Sequence, residues 1–445
     1  MTHLTGISFF LRTLGCQMNE NDSERIAGLL VAAGARKTER VEDAQVVIVN
    51  TCAVRGKSED KLFSFLGRLS PLKRERGLVI GVAGCVAQLY RETLLAKKPD
   101  VDFVVGPDNY HRLTEILSQR LGEKKVATAW SREWNEDARR SLLRESPVSA
   151  YVTIMEGCDH FCAYCVVPYA RGREKYRPVG AILDEVRGLV PAGYKEIQLL
   201  GQNVNSYRDP ETGTSFPELL EQADKIPGVE WIRFITSNPR NFGREIAETM
   251  AASRHVCRQL HLPLQSGSSS ILKKMKRGYG REEYLEKIAL LRALMPEICL
   301  STDIIVGFPG ETEDEFRETL SILEDVEFAN IFSFRYSPRP QTQAARLKDD
   351  VPFEVKRRRL LEVQELQKSI QTRIHRSFIG RTIRVLCLGR SKKDSRAYSG
   401  RSEGYQVVNF SAQEDVVNRF VSVRITDVGP YSLRGKIEET GPSPA

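Results

Sequence analysis

The sequence has no apolar run long enough to cross a bilayer, so a membrane-spanning role is not expected. It lacks the cysteine density of a disulfide-stapled domain as well, with nine cysteines spread over 445 residues. The apolar stretch 7–11 stops at Arg12, the mark of a strand and not of a secretory segment. The expected compartment is therefore the reducing cytoplasm. No Ser-His-Asp constellation or paired-carboxylate site stands out, which leaves acyl transfer and plain acid–base catalysis without an evident set of residues. Charge of neither sign is extreme, and a net +8 favours a polyanionic partner only weakly. With 41% hydrophobic and 28% charged residues, the composition is that of a soluble globular protein, and the length suits about two to four domains.

Against this background the segment Gly157-Cys-Asp-His-Phe-Cys-Ala-Tyr-Cys165 stands out. Three thiolates on one loop, Cys158, Cys162 and Cys165, can hold three irons of a cubane cluster and leave the fourth open to a small molecule. Structural zinc would want four ligands, and His160 lies too close to its flanking cysteines to point at the same metal.

The first hundred residues repeat an apolar strand, a turn and a helical pattern. Strands expected at 7–14, 44–49 and 78–83 each run into a cysteine, Cys16, Cys52 and Cys85, spaced 36 and 33 residues apart. Such βα repeats build a parallel sheet with all strand carboxyl ends along one edge. The three thiols are therefore expected to converge on a second cluster. A fourth strand, 101–105, ends without a cysteine. Six more strands, 151–155, 196–200, 231–235, 259–264, 300–306 and 331–334, alternate with helical stretches and suggest a partial barrel. Polar residues gather where those strands end, and Gln202, Asn203, Ser237, Gln265 and Ser266 are the candidates for gripping whatever binds the open iron. A charged helix from 353 to about 376 leads to short strands at 382–388, 406–410 and 420–427, read as a small antiparallel β-barrel of the nucleic-acid-binding kind. Residues 371–440 carry most of the excess positive charge, and Arg381, Arg384, Lys392, Lys393 and Arg396 are the candidate phosphate contacts. Cys257, Cys299 and Cys387 have no motif partners and are expected in the core.

The spacing Cys158-x3-Cys162-x2-Cys165, with Phe161 and Tyr164 between the thiols, resembles the radical S-adenosylmethionine motif. From end to end the chain resembles the methylthiotransferases, which place a three-cysteine domain before the radical domain and a TRAM domain after it. The resemblance implies an α/β fold: an N-terminal parallel α/β domain (1–120), a linker (121–148), a central partial (β/α)6 barrel (149–350), a connecting helix (351–373) and a TRAM-like antiparallel β-barrel (374–440). It implies two 4Fe-4S clusters and S-adenosylmethionine as cofactors. Cys158, Cys162 and Cys165 would hold the cluster whose open iron chelates S-adenosylmethionine, and Cys16, Cys52 and Cys85 an auxiliary cluster that handles sulfur.

Thr13-Leu-Gly-Cys-Gln-Met-Asn19, Val166-Val-Pro-Tyr-Ala-Arg-Gly-Arg-Glu174 and Leu200-Gly-Gln-Asn-Val-Asn-Ser-Tyr207 resemble the MiaB-type branch of that family. This implies radical-mediated addition of a methylthio group to carbon 2 of isopentenyladenosine next to the anticodon, with two molecules of S-adenosylmethionine consumed. The partners implied are a tRNA anticodon stem-loop and an electron donor such as flavodoxin or ferredoxin, with the protein acting as a monomer. Two alternatives within the family are methylthiolation of threonylcarbamoyladenosine in tRNA and of a small-subunit ribosomal protein. Those relatives usually carry Lys-Val-Asn or Lys-Asn after the first cysteine, where this chain has Gln17-Met18-Asn19. Asn238 stands where His is more usual. From a different class, a non-catalytic iron–sulfur RNA-binding module would need neither six βα units nor a second cysteine triad.

Overall fold

The computed structural model describes residues 4–54, 56–119, 124–131, 133–136, 142–392 and 394–438. Six strands, β1 (Ser8–Leu14), β2 (Arg36–Lys37), β3 (Val46–Thr51), β4 (Val79–Gly84), β5 (Phe103–Val105) and β6 (Lys125–Ala127), form the N-terminal sheet. Their order is β2-β1-β3-β4-β5-β6, and every pairing is parallel. Helices α1 (Gln17–Ala32), α2 (Gly56–Arg76), α3 (Cys85–Tyr90), α4 (Glu92–Lys97) and α5 (Leu113–Ser118) connect the strands. The unbroken run Val46-Val-Ile-Val49 has no polar face because both sides are covered. Val47 and Val49 pack with Leu62 and Phe65 of α2, while Val46 and Ile48 pack with Ile26 and Leu30 of α1.

The central domain holds β7 (Ser149–Thr153), β10 (Glu196–Leu200), β11 (Trp231–Phe234), β12 (Gln259–His261), β13 (Cys299–Val306) and β14 (Asn330–Arg335), with a short antiparallel ribbon of β8 (Met155–Glu156) and β9 (Lys175–Tyr176). The six longer strands form two parallel sheets, β11-β10-β7 and β12-β13-β14. A parallel bridge from Ile232 to Val256 joins them, with the Ile232 amide donating to the His255 carbonyl at 2.7 Å. This is the expected six-stranded partial barrel. After α6 (Val167–Arg171), the helices α7 (Val179–Leu189), α8 (Phe216–Asp224), α9 (Arg244–Ala252), α10 (Ser269–Lys274), α11 (Arg281–Leu294) and α12 (Glu313–Val326) follow in turn. The largest apolar core lies between these helices and the strands.

The N-terminal domain meets both edges of the open barrel. Tyr151 on β7 donates to Glu20 at 2.7 Å, and Thr153 Oγ1 donates to Asn21 Oδ1 at 2.8 Å. On the other side the Arg339 guanidinium lies so close to Gly56 that a Cβ there would sit 3.0 Å from it.

Helix α13 (Phe353–Arg376) leads to a closed five-stranded barrel of β15 (Thr382–Arg390), β16 (Tyr398–Ser402), β17 (Val407–Ser411), β18 (Phe420–Val428) and β19 (Leu433–Ile437). The pairing β17–β19 is parallel and the other four are antiparallel. Strands β16 and β19 were not expected, because Gly and Arg break up their apolar pattern. The glycines are what close packing needs: a Cβ on Gly400 would lie 2.4 Å from the Leu386 carbonyl, and one on Gly435 would lie 2.3 Å from that of Arg424. Cys257 and Cys387 are buried, while Cys299 is half-buried where the terminal barrel docks. Among the described residues no helix is long and apolar enough to cross a membrane.

Candidate cluster site

In the sheet order β1, β3 and β4 are neighbours, and their register aligns Leu14 with Thr51 and Thr51 with Gly84. Cys16 at the start of α1, Cys52 just after β3 and Cys85 at the first turn of α3 are thereby brought together. A hydrogen bond from Cys52 pulls the Cys16 thiol down to about 6. The same bond, and then burial, push Cys52 well above the usual thiol range. Burial raises Cys85. Around them Asn50 Nδ2 donates to the Asn19 carbonyl at 2.8 Å and to Ser23 Oγ at 3.0 Å, locking α1 against β3.

The second triad sits on the loop between β8 and β9. Gly157 opens that loop at φ 84°, and a Cβ there would lie 1.9 Å from the Arg173 carbonyl, so the loop ends can meet only over a glycine. The Cys158 amide donates to the Gly172 carbonyl at 3.1 Å, and the Ala163 amide to that of Met275 at 2.9 Å. Burial pushes Cys158 and Cys165 up to about 12. Buried thiols of this kind become thiolates at neutral pH only against a bound cation, which is what a cluster iron supplies. Among the described residues no three His, Cys, Asp or Glu side chains converge on a single ion position. A cubane requires no such convergence, since each thiolate binds its own iron. The free cysteines of both triads fit that donor set.

Each triad has one thiol facing a buried guanidinium. Arg171 Nε donates to Cys85 Sγ at 3.2 Å, and Arg277 Nη1 to Cys162 Sγ at 3.3 Å. Arg171 is paired with Asp22 at 2.5 Å, and Arg277 also donates to the Pro263 carbonyl at 2.9 Å. Neither role is legible in the sequence: Arg171 lies in the motif after Cys165, and Arg277 ends a basic run, Lys273, Lys274, Lys276 and Arg277, that reads as substrate-facing or as helical surface and not as a partner of a thiol. Arg171 also joins the two sites. Helix α6 follows Cys165 after a single residue, and that residue, Val166, shares a core with Ala170 of the helix and with Ala53, Cys85 and Val86. The two triads thus share one wall.

The rim residues behave unequally. Gln202 Oε1 accepts the Gly157 amide at 2.5 Å, while its Nε2 is buried with no partner among the described residues. Asn203 Nδ2 donates to Glu174 at 3.0 Å, and its Oδ1 is likewise unfilled, as is Ser237 Oγ. Gln265 holds a left-handed backbone at φ 79°, as do Thr236 at 71° and Phe161 at 47°, all at strand ends or in the cysteine loop. Ser266 Oγ accepts the Ser268 amide at 3.2 Å and so serves its own turn. Sequence reading missed Glu174, which also accepts from Ser206 at 3.1 Å. His160 turns away from the thiols to Asn203 at 3.1 Å and Asn241 at 2.5 Å.

Of the candidate phosphate contacts, Arg381 pairs with Glu297 at 3.3 Å and Arg384 with Glu230 at 2.8 Å, both partners in the central domain. Arg384 also lies 3.7 Å over the Phe420 ring. Both are thereby engaged with the central domain. Arg396 pairs with nearby Asp394 at 3.3 Å, Lys392 is exposed, and Lys393 lies outside the described residues.

Three family models match the chain: Uncharacterized protein family UPF0004 over residues 8–106, the Radical SAM superfamily over 152–323 and the TRAM domain over 376–437. A solved radical S-adenosylmethionine methyltransferase, TsrM from Kitasatospora setae, shares the fold with a TM-score of 0.55 at 15% identity, covering 76% of this chain and 74% of that one. Curated tRNA-2-methylthio-N(6)-dimethylallyladenosine synthases are far closer. That of Geobacter metallireducens is 45% identical over 96% of this chain and 98% of its own length. The Thermotoga petrophila protein is 45% identical over 98% of both, and the Acetivibrio thermocellus protein 44% identical over 96% of this chain and 90% of its own. The chain belongs to the tRNA-2-methylthio-N(6)-dimethylallyladenosine synthase family, within the radical SAM superfamily.

Proposed function

We infer that this protein is a tRNA methylthiotransferase that adds a methylthio group to carbon 2 of isopentenyladenosine beside the anticodon, using two molecules of S-adenosylmethionine. The observation that carries this reading is the shared wall: two three-thiol sites, one per domain, joined through Arg171. Cys158, Cys162 and Cys165 would hold one 4Fe-4S cluster and Cys16, Cys52 and Cys85 the other. When bound, these groups and S-adenosylmethionine supply the one-electron chemistry that an unactivated aromatic carbon requires, together with the sulfur to be transferred.

The chain's own residues position and insulate. Arg277 and Arg171 each direct an N–H at one ligand thiol. Gln202 Nε2, Asn203 Oδ1 and Ser237 Oγ offer unfilled polar atoms at the rim for S-adenosylmethionine. Gln265 and Ser266, after β12, are assigned to the same rim, with Ser266 acting through its turn. Lys392 and Arg396 are assigned to the tRNA backbone, with Arg381 and Arg384 as docking residues. A small electron-transfer protein such as flavodoxin or ferredoxin would reduce the clusters, and the protein would act as a cytoplasmic monomer.

The test is an anaerobic reaction of the cluster-reconstituted protein with S-adenosylmethionine, a strong reductant and isopentenyladenosine-containing tRNA, followed by mass analysis of the nucleosides. The 2-methylthio product is expected. Formation of 5'-deoxyadenosine without that product would move the substrate to a threonylcarbamoyl-modified tRNA or a ribosomal protein.

A further inference from the structure

Alternation along β13 sorts its side chains cleanly. Leu300, Ile304 and Val306 are buried in the core that faces the helices. Ser301, Asp303 and Ile305 therefore face the barrel lumen. The register pairs Asp303 with Phe332 and Ile305 with Phe334, which carries both phenylalanines of β14 to the same side. They remain 42% and 36% exposed, where an aromatic on a barrel strand would ordinarily be packed away.

Polar groups stand beside this apolar face. The His261 ring meets Phe332 edge-on at 5.8 Å, with its Nδ1 3.0 Å from Ser301 Oγ and its Nε2 3.4 Å from Asp303. Ile305, the neighbour of Phe334, packs with the layer that contains Ala163 and Tyr164 of the cysteine loop. The face thus begins directly beneath the radical triad, on a lumen whose edges the N-terminal domain meets.

We propose that Phe332 and Phe334 form the wall that holds the isopentenyl-bearing adenine, with His261 and Asp303 meeting the polar edge of the base. This rests on the substrate reading given above. A purine ring offers a flat π surface to one phenylalanine, and its branched five-carbon substituent is apolar surface for the other to cover. An unmodified adenosine would leave half of that wall wet, so the wall serves specificity as well as position.

The test uses the full, cluster-loaded protein under anaerobic conditions with S-adenosylmethionine present. Dissociation constants are measured for two anticodon stem-loop RNAs, one carrying isopentenyladenosine and one plain adenosine. Wild type is expected to prefer the modified RNA. Phe332→Ala and Phe334→Ala should each weaken that RNA about tenfold and the plain one, which offers only the purine ring, by less, so that the preference shrinks. Phe332→Leu, which keeps apolar bulk without a ring face, guards against misfolding and should fall between, with iron content and melting temperature as controls. Variants that keep the full preference would overturn the wall and leave the substrate reading intact. A wild type with no preference would overturn both.

Discussion

A guanidinium 3.2 Å from Cys85 and another 3.3 Å from Cys162 place one N–H donor on a thiol of each triad. Hydrogen bonds to cluster sulfurs stabilise the reduced, more negative state and so raise the potential. Arg277→Gln should therefore make the midpoint of the radical-site cluster more negative and leave the other cluster unmoved, with Arg171→Gln doing the reverse. Redox titration followed by electron paramagnetic resonance, each in a background where the other triad is Ala, reads both, and equal midpoints would refute the assignment. The triads themselves separate by function. Cys162→Ala should abolish cleavage of S-adenosylmethionine, whereas Cys52→Ala should leave cleavage measurable and stop thiolation; methylthio product from the Cys52 variant would show that the N-terminal thiols are not the sulfur site.

Elements decide where those residues meet. The N-terminal thiols converge because β1, β3 and β4 lie side by side in register, and Gly84 is the hinge from β4 into α3. At φ 89° its Cβ position falls 2.3 Å from Asn50 Oδ1, so any side chain there meets both backbone strain and a clash. Gly84→Ala should cost about 1–3 kcal/mol locally and turn Cys85 away from its partners. Iron analysis after reconstitution should then show the N-terminal cluster lost and the radical-site cluster kept; full iron loading would contradict this. The repeat of strand, turn and cysteine was legible in the sequence because each strand is an apolar run ending beside a thiol, β1 on Phe and Leu and β3 and β4 on buried Val and Ile. Strands β16 and β19 were not legible, since their close packing on glycine leaves no periodic apolar signal.

At the scale of the molecule the terminal barrel is docked as well as tethered. Arg233 donates from Nε to Glu196 at 2.6 Å and from its two other nitrogens to the carbonyls of Glu403 and Ser402 at 2.6 and 2.8 Å. The turn joining β16 to β17 is thereby held against the starts of the central strands, where Gln406 also donates to Cys299 Sγ at 3.0 Å and Trp231 meets Phe420 at 4.8 Å. Arg233→Met leaves Glu196 buried without its partner, which costs about 3–5 kcal/mol. Hydrogen exchange over 402–406 should accelerate strongly in that variant, and unchanged protection would refute the docking role. The basic residues divide in the same way. Lys392→Ala should weaken tRNA binding and lower its salt slope by about one, while Arg384→Ala should leave the slope unchanged and loosen the barrel. Equal slopes for Lys392→Ala and wild type would remove it from the interface.

The sequence by itself determined where the two thiol triads and the polar strand ends fall and in what order the domains come. Thiol spacing on one loop, cysteines at the ends of successive apolar runs and polar residues at strand ends are all local patterns. Only the tertiary structure decided what faces what. Arg171 reaches Cys85 across 86 residues, and Arg277 reaches Cys162 across 115, distances over which no local periodicity carries information. Arg381 and Arg384 look the same as Lys392 in a charge count and part company only when Glu297 and Glu230 come opposite them. Register placed Phe332 and Phe334 on the lumen side, since a slip of one residue would have turned both toward the helices.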